Sequence, residues 1–102
     1  MQGVKKRTIV LQFEWDQGNE AKNWQKHRVK KGEAEDVFFD PDKQEYPDPN
    51  HSEQEERHIV IGKTKRGRLL MVVYTIRNTA IRVVSARDVT KPKEVVLYEK
   101  AA

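Results

Sequence analysis

Four arginines at the ends of predicted strands are the residues best suited to bind an anionic group: Arg57, Arg77, Arg82 and Arg87. A guanidinium group is planar and donates two hydrogen bonds at once, which matches the geometry of a phosphate. Each arginine could instead lie over a sheet surface and pair with a carboxylate, which is an ordinary role for such a residue. Four of them in one region favour a phosphate-binding surface.

Three further side chains could transfer protons beside such a surface: His51, Glu56 and Tyr74. An imidazole titrates near neutral pH, which suits His51 for acid–base chemistry; the alternative is an exposed histidine or a loop cap. Glu56 could be a base held by Arg57, although adjacent strand residues face opposite ways. Tyr74 lies in a predicted central strand, where tyrosines more often belong to the core.

The composition excludes several kinds of catalytic site. The chain has no cysteine, which excludes thiol nucleophiles, thiolate metal sites and disulfides. A loop could gather Asp48, His51 and Glu55, but one histidine without a defined ligand motif does not predict a metal. Gly62 and Gly67 lack the pattern of a phosphate-binding loop. We therefore predict a site that uses neither a metal nor a cofactor.

The hydrophobic pattern predicts the elements that must position these side chains. Apolar and β-branched runs predict strands over residues 8–13, 57–62, 68–76 and 81–87. Helical spacing predicts helices over residues 20–28, 33–38 and 91–100, with Asp16 or Asn19 capping the first and Pro92 in the first turn of the last. Residues 41–52 contain three prolines and no periodicity, so they are expected to form a loop.

These elements predict an α+β fold. It consists of a small antiparallel sheet, made of a three-stranded C-terminal meander and an N-terminal strand, because the links between the last three strands are short. Two N-terminal helices and one short C-terminal helix are expected to pack on one face of this sheet.

The last hairpin decides which arginines share a face of the sheet. A two-residue turn after Arg77 pairs Tyr74 with Val83 and, in a regular ladder, places Arg87 on the face of Tyr74. A one-residue slip places Arg82 there instead. Arg82 and Arg87 are five residues apart, so they point to opposite faces unless a bulge intervenes. We favour Arg82 acting with Arg77, because both are expected near the open end of the hairpin.

The charge is distributed unevenly along the chain. The 102 residues, which are enough for a single domain over residues 1–102, carry a net charge of +4. Residues 40–56 hold seven acids and one base, or −6, which leaves +10 on the remainder. A body with that charge attracts polyanions such as nucleic acids. No stretch approaches the roughly 18 apolar residues of a membrane span, so a cytoplasmic protein without a membrane partner is expected.

The order and spacing of several short motifs resemble the BrnT toxins of type II toxin–antitoxin systems. The first half contributes FEWD at 13–16, Lys22-Asn23, Lys26-His27, Glu33-Ala34 and Val37-Phe38. The second half contributes His51-Ser52, EER at 55–57, Gly62, RGR at 66–68, VVYT at 72–75, Arg77 and IRVVSAR at 81–87. Together they span about residues 13–98. The chain departs from the family between the first two helices, where Arg28 replaces a glycine and residues 30–32 replace a polar and aromatic lead.

The resemblance implies a fold like that of the RelE ribonuclease toxins and a metal-independent cleavage of RNA that stops translation. It also implies a cognate BrnA-like antitoxin, which is a small ribbon-helix-helix DNA-binding protein. Such an antitoxin would neutralise the toxin in a two-to-two complex and bring it to operator DNA.

Metal-independent cleavage of RNA needs a base for the ribose 2′-hydroxyl, cations for the charge of the transition state and an acid for the leaving oxygen. The four arginines are expected to supply the cations, and His51, Glu56 and Tyr74 the proton transfers. The alternative hypothesis is a non-catalytic module that binds nucleic acid or protein and acts as a co-repressor with the antitoxin.

Overall fold

The part of the chain that the structure describes, residues 12–49 and 55–100, forms five strands and three helices in this computed structural model. In chain order they are β1 (Phe13–Glu14), α1 (Gln17–His27), α2 (Lys31–Val37), β2 (Gln44–Pro47), β3 (His58–Lys63), β4 (Leu69–Arg77), β5 (Ala80–Asp88) and α3 (Pro92–Glu99). The predicted α+β class is confirmed. The prediction of a strand over residues 8–11 lies outside the described residues.

The strands form one sheet in the order β1-β5-β4-β3-β2. β3, β4 and β5 form the predicted antiparallel meander, and Tyr74 lies opposite Val83 as the two-residue turn requires. Two details of the prediction were wrong: β1 runs parallel to β5, so the sheet is mixed, and β2 lies inside the expected loop. β2 escaped prediction because Tyr46 is its only large apolar residue, and an edge strand tolerates Pro47.

Polar contacts decide where α1 begins. The Asp16 side chain accepts a hydrogen bond from the Asn19 backbone N–H at 2.9 Å, and the Asn19 side chain accepts one from the Asp16 N–H at 2.8 Å. This reciprocal cap confirms Asp16 as the N-cap and starts the helix at Gln17, earlier than predicted. α2 also starts earlier than predicted, at Lys31, and α3 starts at Pro92.

Arg28 takes the left-handed conformation for which glycine is usual. It has φ 54° and ψ 40° at the end of α1. Its N–H donates to the Trp24 carbonyl at 2.9 Å, and the Val29 N–H donates to the Asn23 carbonyl at 3.3 Å, which closes the helix as a glycine cap does. The Arg28 guanidinium also lies 5.2 Å from the centre of the Trp24 ring. The turn expected to depart from the family is therefore built without glycine.

Helices cover both faces of the sheet. On one face, α2 and the residues beside it pack on β3, β4 and β5; this core includes Val29, Ala34, Val37, Phe38, Val60, Leu70, Val72 and Val83. On the other face, Tyr98 of α3 packs against Ile59, Ile61 and Met71. The prediction that all helices share one face was therefore wrong for α3. The physical reason is that β4 is apolar on both sides, so each side needs a cover.

A bulge interrupts the ladder between β4 and β5. The pair Val73–Ser85 is followed by the pair Tyr74–Val83, so Val84 has no partner in β4. One extra residue reverses the alternation of the side chains beyond it. Side chains that are five residues apart on either side of the bulge therefore point to the same face.

Two buried asparagines of α1 bind the backbone on either side of this bulge. Asn19 Nδ2 donates to the Val83 carbonyl at 3.0 Å, and the Ala86 N–H donates to Asn23 Oδ1 at 3.0 Å. Asn19 is 8% exposed and Asn23 is 2% exposed. Because buried backbone groups need partners, these two contacts both anchor α1 and stabilise the bulge.

Candidate active site

A row of polar side chains crosses the sheet near the turn between β4 and β5. Glu14 lies opposite Arg82, and Arg82 lies opposite Thr75. Arg57 directly precedes β3 and continues the row beside Thr75, while Arg77 lies two residues beyond Thr75 on β4. Because alternate residues of a strand share a face, Arg57, Arg77 and Arg82 collect on one surface. We call these three residues and their surroundings the arginine face.

The arginine face lies at the closed end of the hairpin. Arg77 pairs with Ala80 directly beside the two-residue turn of Asn78 and Thr79, which both have positive φ. The sequence predicted that Arg77 and Arg82 lie together at the open end of the hairpin. They do lie together, but at the closed end, beside the turn.

Carboxylates hold two of these arginines in place. Arg82 Nη2 donates to Asp16 Oδ2 at 2.8 Å, and Arg82 Nη1 donates to Glu14 Oε1 at 3.3 Å. Arg77 binds Glu55 with both arms of its fork, Nε at 2.7 Å and Nη2 at 3.3 Å. These contacts orient the guanidinium groups and offset their charge.

The same contacts control the ionisation of the carboxylates. The hydrogen bond from Arg77 holds the pKa of Glu55 below its usual range, with a smaller contribution from the charge of Arg57. The backbone N–H of Asn19 and then the Arg82 side chain lower the pKa of Asp16. Both carboxylates therefore remain ionised to a lower pH than an ordinary Asp or Glu.

Arg57 has fewer side-chain hydrogen bonds among the described residues than Arg77 and Arg82. Its Nε atom is buried and has no hydrogen-bond partner within residues 12–49 and 55–100. The neighbouring Thr75 side chain is fully buried in the centre of the row. Arg57 therefore differs from Arg77 and Arg82, whose forks are engaged by carboxylates.

Arg87 lies on the same face of the sheet but outside this cluster. The bulge turns its side chain to the side of Arg82, so the regular ladder that we expected to place it with Tyr74 does not occur. Glu94 of α3 binds both of its terminal nitrogens, at 2.9 and 3.2 Å, and Met71 Sδ lies 3.1 Å from Nη2. Arg87 thus attaches α3 to the sheet.

Tyr74 and Glu56 lie on the opposite face. The Tyr74 hydroxyl donates to Glu45 at 2.6 Å, its ring stacks on His58 at 5.3 Å, and burial followed by the Glu45 contact raises its pKa. The Glu56 carboxylate lies 4.0 Å from Nε2 of His58. Neither Tyr74 nor Glu56 joins the arginines, because their positions alternate with Thr75 and Arg57 along the strands.

Glu55 was missed as an acid–base candidate although the sequence carried a signal for it. It is two residues before Arg57, so strand alternation places both on one side, whereas Glu56 takes the other side. Glu14 and Asp16 of the FEWD motif were also missed, since only the β1–β5 pairing brings them to Arg82. The predicted site residue His51 lies outside the described residues.

Two general features of the described residues bear on function. Within residues 12–49 and 55–100, no group of three or more His, Asp or Glu side chains is arranged to hold a metal ion. None of the helices in this part of the chain is long and apolar enough to cross a membrane.

The fold is that of a small ribonuclease toxin of known structure. The crystal structure of the Brucella abortus ribonuclease toxin BrnT aligns with a TM-score of 0.60 and 18% sequence identity, covering 80% of this chain and 100% of that chain. At this identity the likeness concerns the fold alone. No curated protein matches the chain significantly.

The family is shown by the sequence itself. The family model of the ribonuclease toxin BrnT of type II toxin–antitoxin systems matches residues 15–93. The chain therefore belongs to the BrnT family, and the resemblance recognised from its motifs is confirmed. Membership of a type II toxin–antitoxin family implies an antitoxin partner.

Proposed function

We propose that this BrnT-family chain is a single-domain, metal-independent endoribonuclease and that the arginine face holds the RNA phosphate at which it cleaves. The observation that carries this proposal is the gathering of Arg57, Arg77 and Arg82 on one surface. Guanidinium groups there can donate to the non-bridging oxygens of one phosphate. They would also stabilise the extra negative charge of a five-coordinate phosphorus transition state.

Glu55 is the base in this proposal. Its carboxylate is ionised at neutral pH, as any ordinary glutamate is, and the hydrogen bond from Arg77 lowers its pKa further; it would take the proton of the ribose 2′-hydroxyl. The 2′ oxygen then bonds to phosphorus, the bond from phosphorus to the 5′ oxygen breaks, and an acid protonates the departing oxygen. The products are a 2′,3′-cyclic phosphate and a free 5′-hydroxyl. His51, four residues before Glu55, is the residue proposed as this acid.

Glu14 and Asp16 position Arg82 in the free protein. Two carboxylates within 3.3 Å of one guanidinium limit its motion, so less freedom is lost when a phosphate binds. The phosphate would take over part of these hydrogen bonds. This role explains why cations of a phosphate site carry carboxylate partners before RNA arrives.

The antitoxin partner is proposed to be a BrnA-like ribbon-helix-helix protein in a two-to-two complex. It would cover the arginine face, stop RNA cleavage and hence the arrest of translation, and bring the toxin to operator DNA. Substitutions on the arginine face should therefore weaken the binding of the antitoxin and its inhibition of cleavage. Cleavage that continues at saturating antitoxin would contradict this part of the proposal.

The proposal is tested by cleavage of RNA in excess chelator, comparing the parent chain with Arg77→Ala/Arg82→Ala. Removing one donor to a developing oxyanion typically costs about 10²- to 10³-fold in rate, so the double variant should lose all measurable cleavage. Lys93→Ala/Lys100→Ala removes the same charge from exposed positions of α3 and its end, and it should cleave at the parent rate.

Three results would count against the proposal. A double arginine variant that is folded by circular dichroism and cleaves like the parent removes these residues from the site. Loss of parent cleavage in chelator, restored by a divalent cation, contradicts metal independence. If the parent represses the operator together with its antitoxin but cleaves no RNA, the alternative role as a non-catalytic co-repressor is supported instead.

A further inference from the structure

A second basic surface lies at the other end of the sheet. α1, α2 and the turn between β3 and β4 enclose an open cavity of about 800 Å³. Its walls include an exposed aromatic ring and several cations. We call it the Trp24 groove, and its defining residues are Trp24, Lys30, Lys31, Glu33, Lys65 and Arg66.

The cations of the Trp24 groove have no carboxylate partner among the described residues; they are Lys30, Lys31, Lys65 and Arg66. Two of the three acids in the groove have hydrogen-bond partners of their own. Glu33 is bound by Arg68 at 3.2 Å, and Asp36 accepts the backbone N–H of Lys65 at 3.1 Å. Glu20 is the third. The positive charges of this surface are therefore not paired with carboxylates, whereas Arg77 and Arg82 on the arginine face are.

Trp24 adds a stacking surface to this charge. Its side chain is 43% exposed, although it is large and apolar. The Arg28 guanidinium lies over this ring, so the guanidinium and the indole are stacked. Proteins that hold single-stranded nucleic acids combine a charged groove along the backbone with aromatic or arginine planes on which bases stack.

We propose that the Trp24 groove binds single-stranded RNA that flanks the cleaved phosphate, an inference that rests on the proposed ribonuclease function. The groove contacts the β3–β4 turn, whereas Arg77 ends β4 eight residues after Leu69. At about 3.4 Å per residue the two surfaces are separated by about 27 Å along the strand. They also lie on opposite faces of the sheet, because the groove is on the side of α1 and α2 and the arginine face is on the side of α3. Stacked RNA would need at least roughly eight nucleotides at about 3.4 Å each, and it would pass around the sheet between the two surfaces. A short RNA reaches only one of the two surfaces.

Binding tests the groove without any cleavage. Lys65→Gln/Arg66→Gln changes two exposed turn residues, and Lys93→Gln/Lys100→Gln is the matched control at α3. The probe is a labelled 20-nucleotide single strand whose 2′-hydroxyls are replaced by hydrogen, so that it cannot be cleaved. Fluorescence anisotropy at several salt concentrations gives the affinity and its salt slope.

Loss of two phosphate contacts should lower the slope of log K against log salt by about 1.4 and weaken binding roughly tenfold at 0.15 M salt. The control should keep the parent slope. Trp24→Ala should weaken binding several-fold at every salt concentration, while Trp24→Phe should retain most of the affinity, because a stacking plane remains.

Cleavage adds a length dependence that a general charge effect would not produce. The Lys65→Gln/Arg66→Gln variant should lose about tenfold in kcat/KM on a 20-nucleotide RNA and nothing on a trinucleotide. If the parent cleaves neither RNA, the proposed ribonuclease function is wrong. The anisotropy measurement still shows whether the Trp24 groove binds a single strand.

Two outcomes overturn the inference. In the first, the double variant keeps the affinity and salt slope of the parent. In the second, it keeps RNA binding but loses the antitoxin, which would assign the groove to the antitoxin.

Discussion

Replacing Asn23 with leucine tests the connection between α1 and the bulge of β5. Asn23 Oδ1 accepts the Ala86 N–H at 3.0 Å, and the residue is 2% exposed. Leucine has a similar size but no acceptor, so the buried Ala86 N–H loses its partner, which costs about 1–3 kcal/mol. Leucine also removes Asn23 Nδ2, which is buried without a hydrogen-bond partner among the described residues, and this offsets part of the cost. For a domain of this size each kcal/mol lowers Tm by about 4–8 °C. Asn23→Leu should therefore lower both the free energy of unfolding and Tm.

The assay is urea and thermal unfolding followed by circular dichroism. Gln25→Leu is the control, because Gln25 is exposed on the same helix and a surface change should alter stability by less than about 0.5 kcal/mol. Since the bulge turns Arg87 to the face of Arg82, Asn23→Leu should also weaken the attachment of α3. Equal unfolding midpoints for Asn23→Leu, Gln25→Leu and the parent would refute the reasoning.

Two further predictions concern the Arg28 turn and acid pH. Arg28→Val should be about 1–2 kcal/mol less stable than Arg28→Gly, because a β-branched residue resists the left-handed conformation; equal urea midpoints would contradict this. Acid should destabilise the fold, since carboxyl pKa values lowered by hydrogen bonds and ion pairs provide stability that is complete above about pH 5 and is lost as pH falls. The groups are Asp16, Asp40, Glu55, Asp88 and Glu94. A urea midpoint that is constant from pH 6 to pH 3 would refute this explanation.

The meander could be predicted because its signals are local. The apolar runs of β3 and β4 are long, the turns between strands are short, and a two-residue turn at Asn78-Thr79 sets the Tyr74–Val83 register. The N-cap of α1 could also be predicted, since Asp16 and Asn19 are three residues apart. β2 could not be predicted, because four residues with one large apolar side chain show little periodicity.

The residues of the candidate site could be predicted only in part from the sequence. Residue type and family motifs pointed to Arg57, Arg77 and Arg82, and strand alternation could have selected Glu55 over Glu56. The position of Arg87 was not predictable, because it depends on the bulge. The bulge in turn is bound by Asn19 and Asn23, which lie more than 60 residues away in sequence.

The sequence by itself determined the family, the order of the C-terminal strands and the supply of arginines, because these follow from residue type and near-neighbour spacing. The tertiary structure alone decided which side chains of β5 share a face across the bulge. A single unpaired residue in β5 reverses the side-chain alternation, and its stability comes from hydrogen bonds to a distant helix. The parallel pairing of β1, which brings Glu14 and Asp16 to Arg82, is likewise a long-range contact that no local pattern encodes.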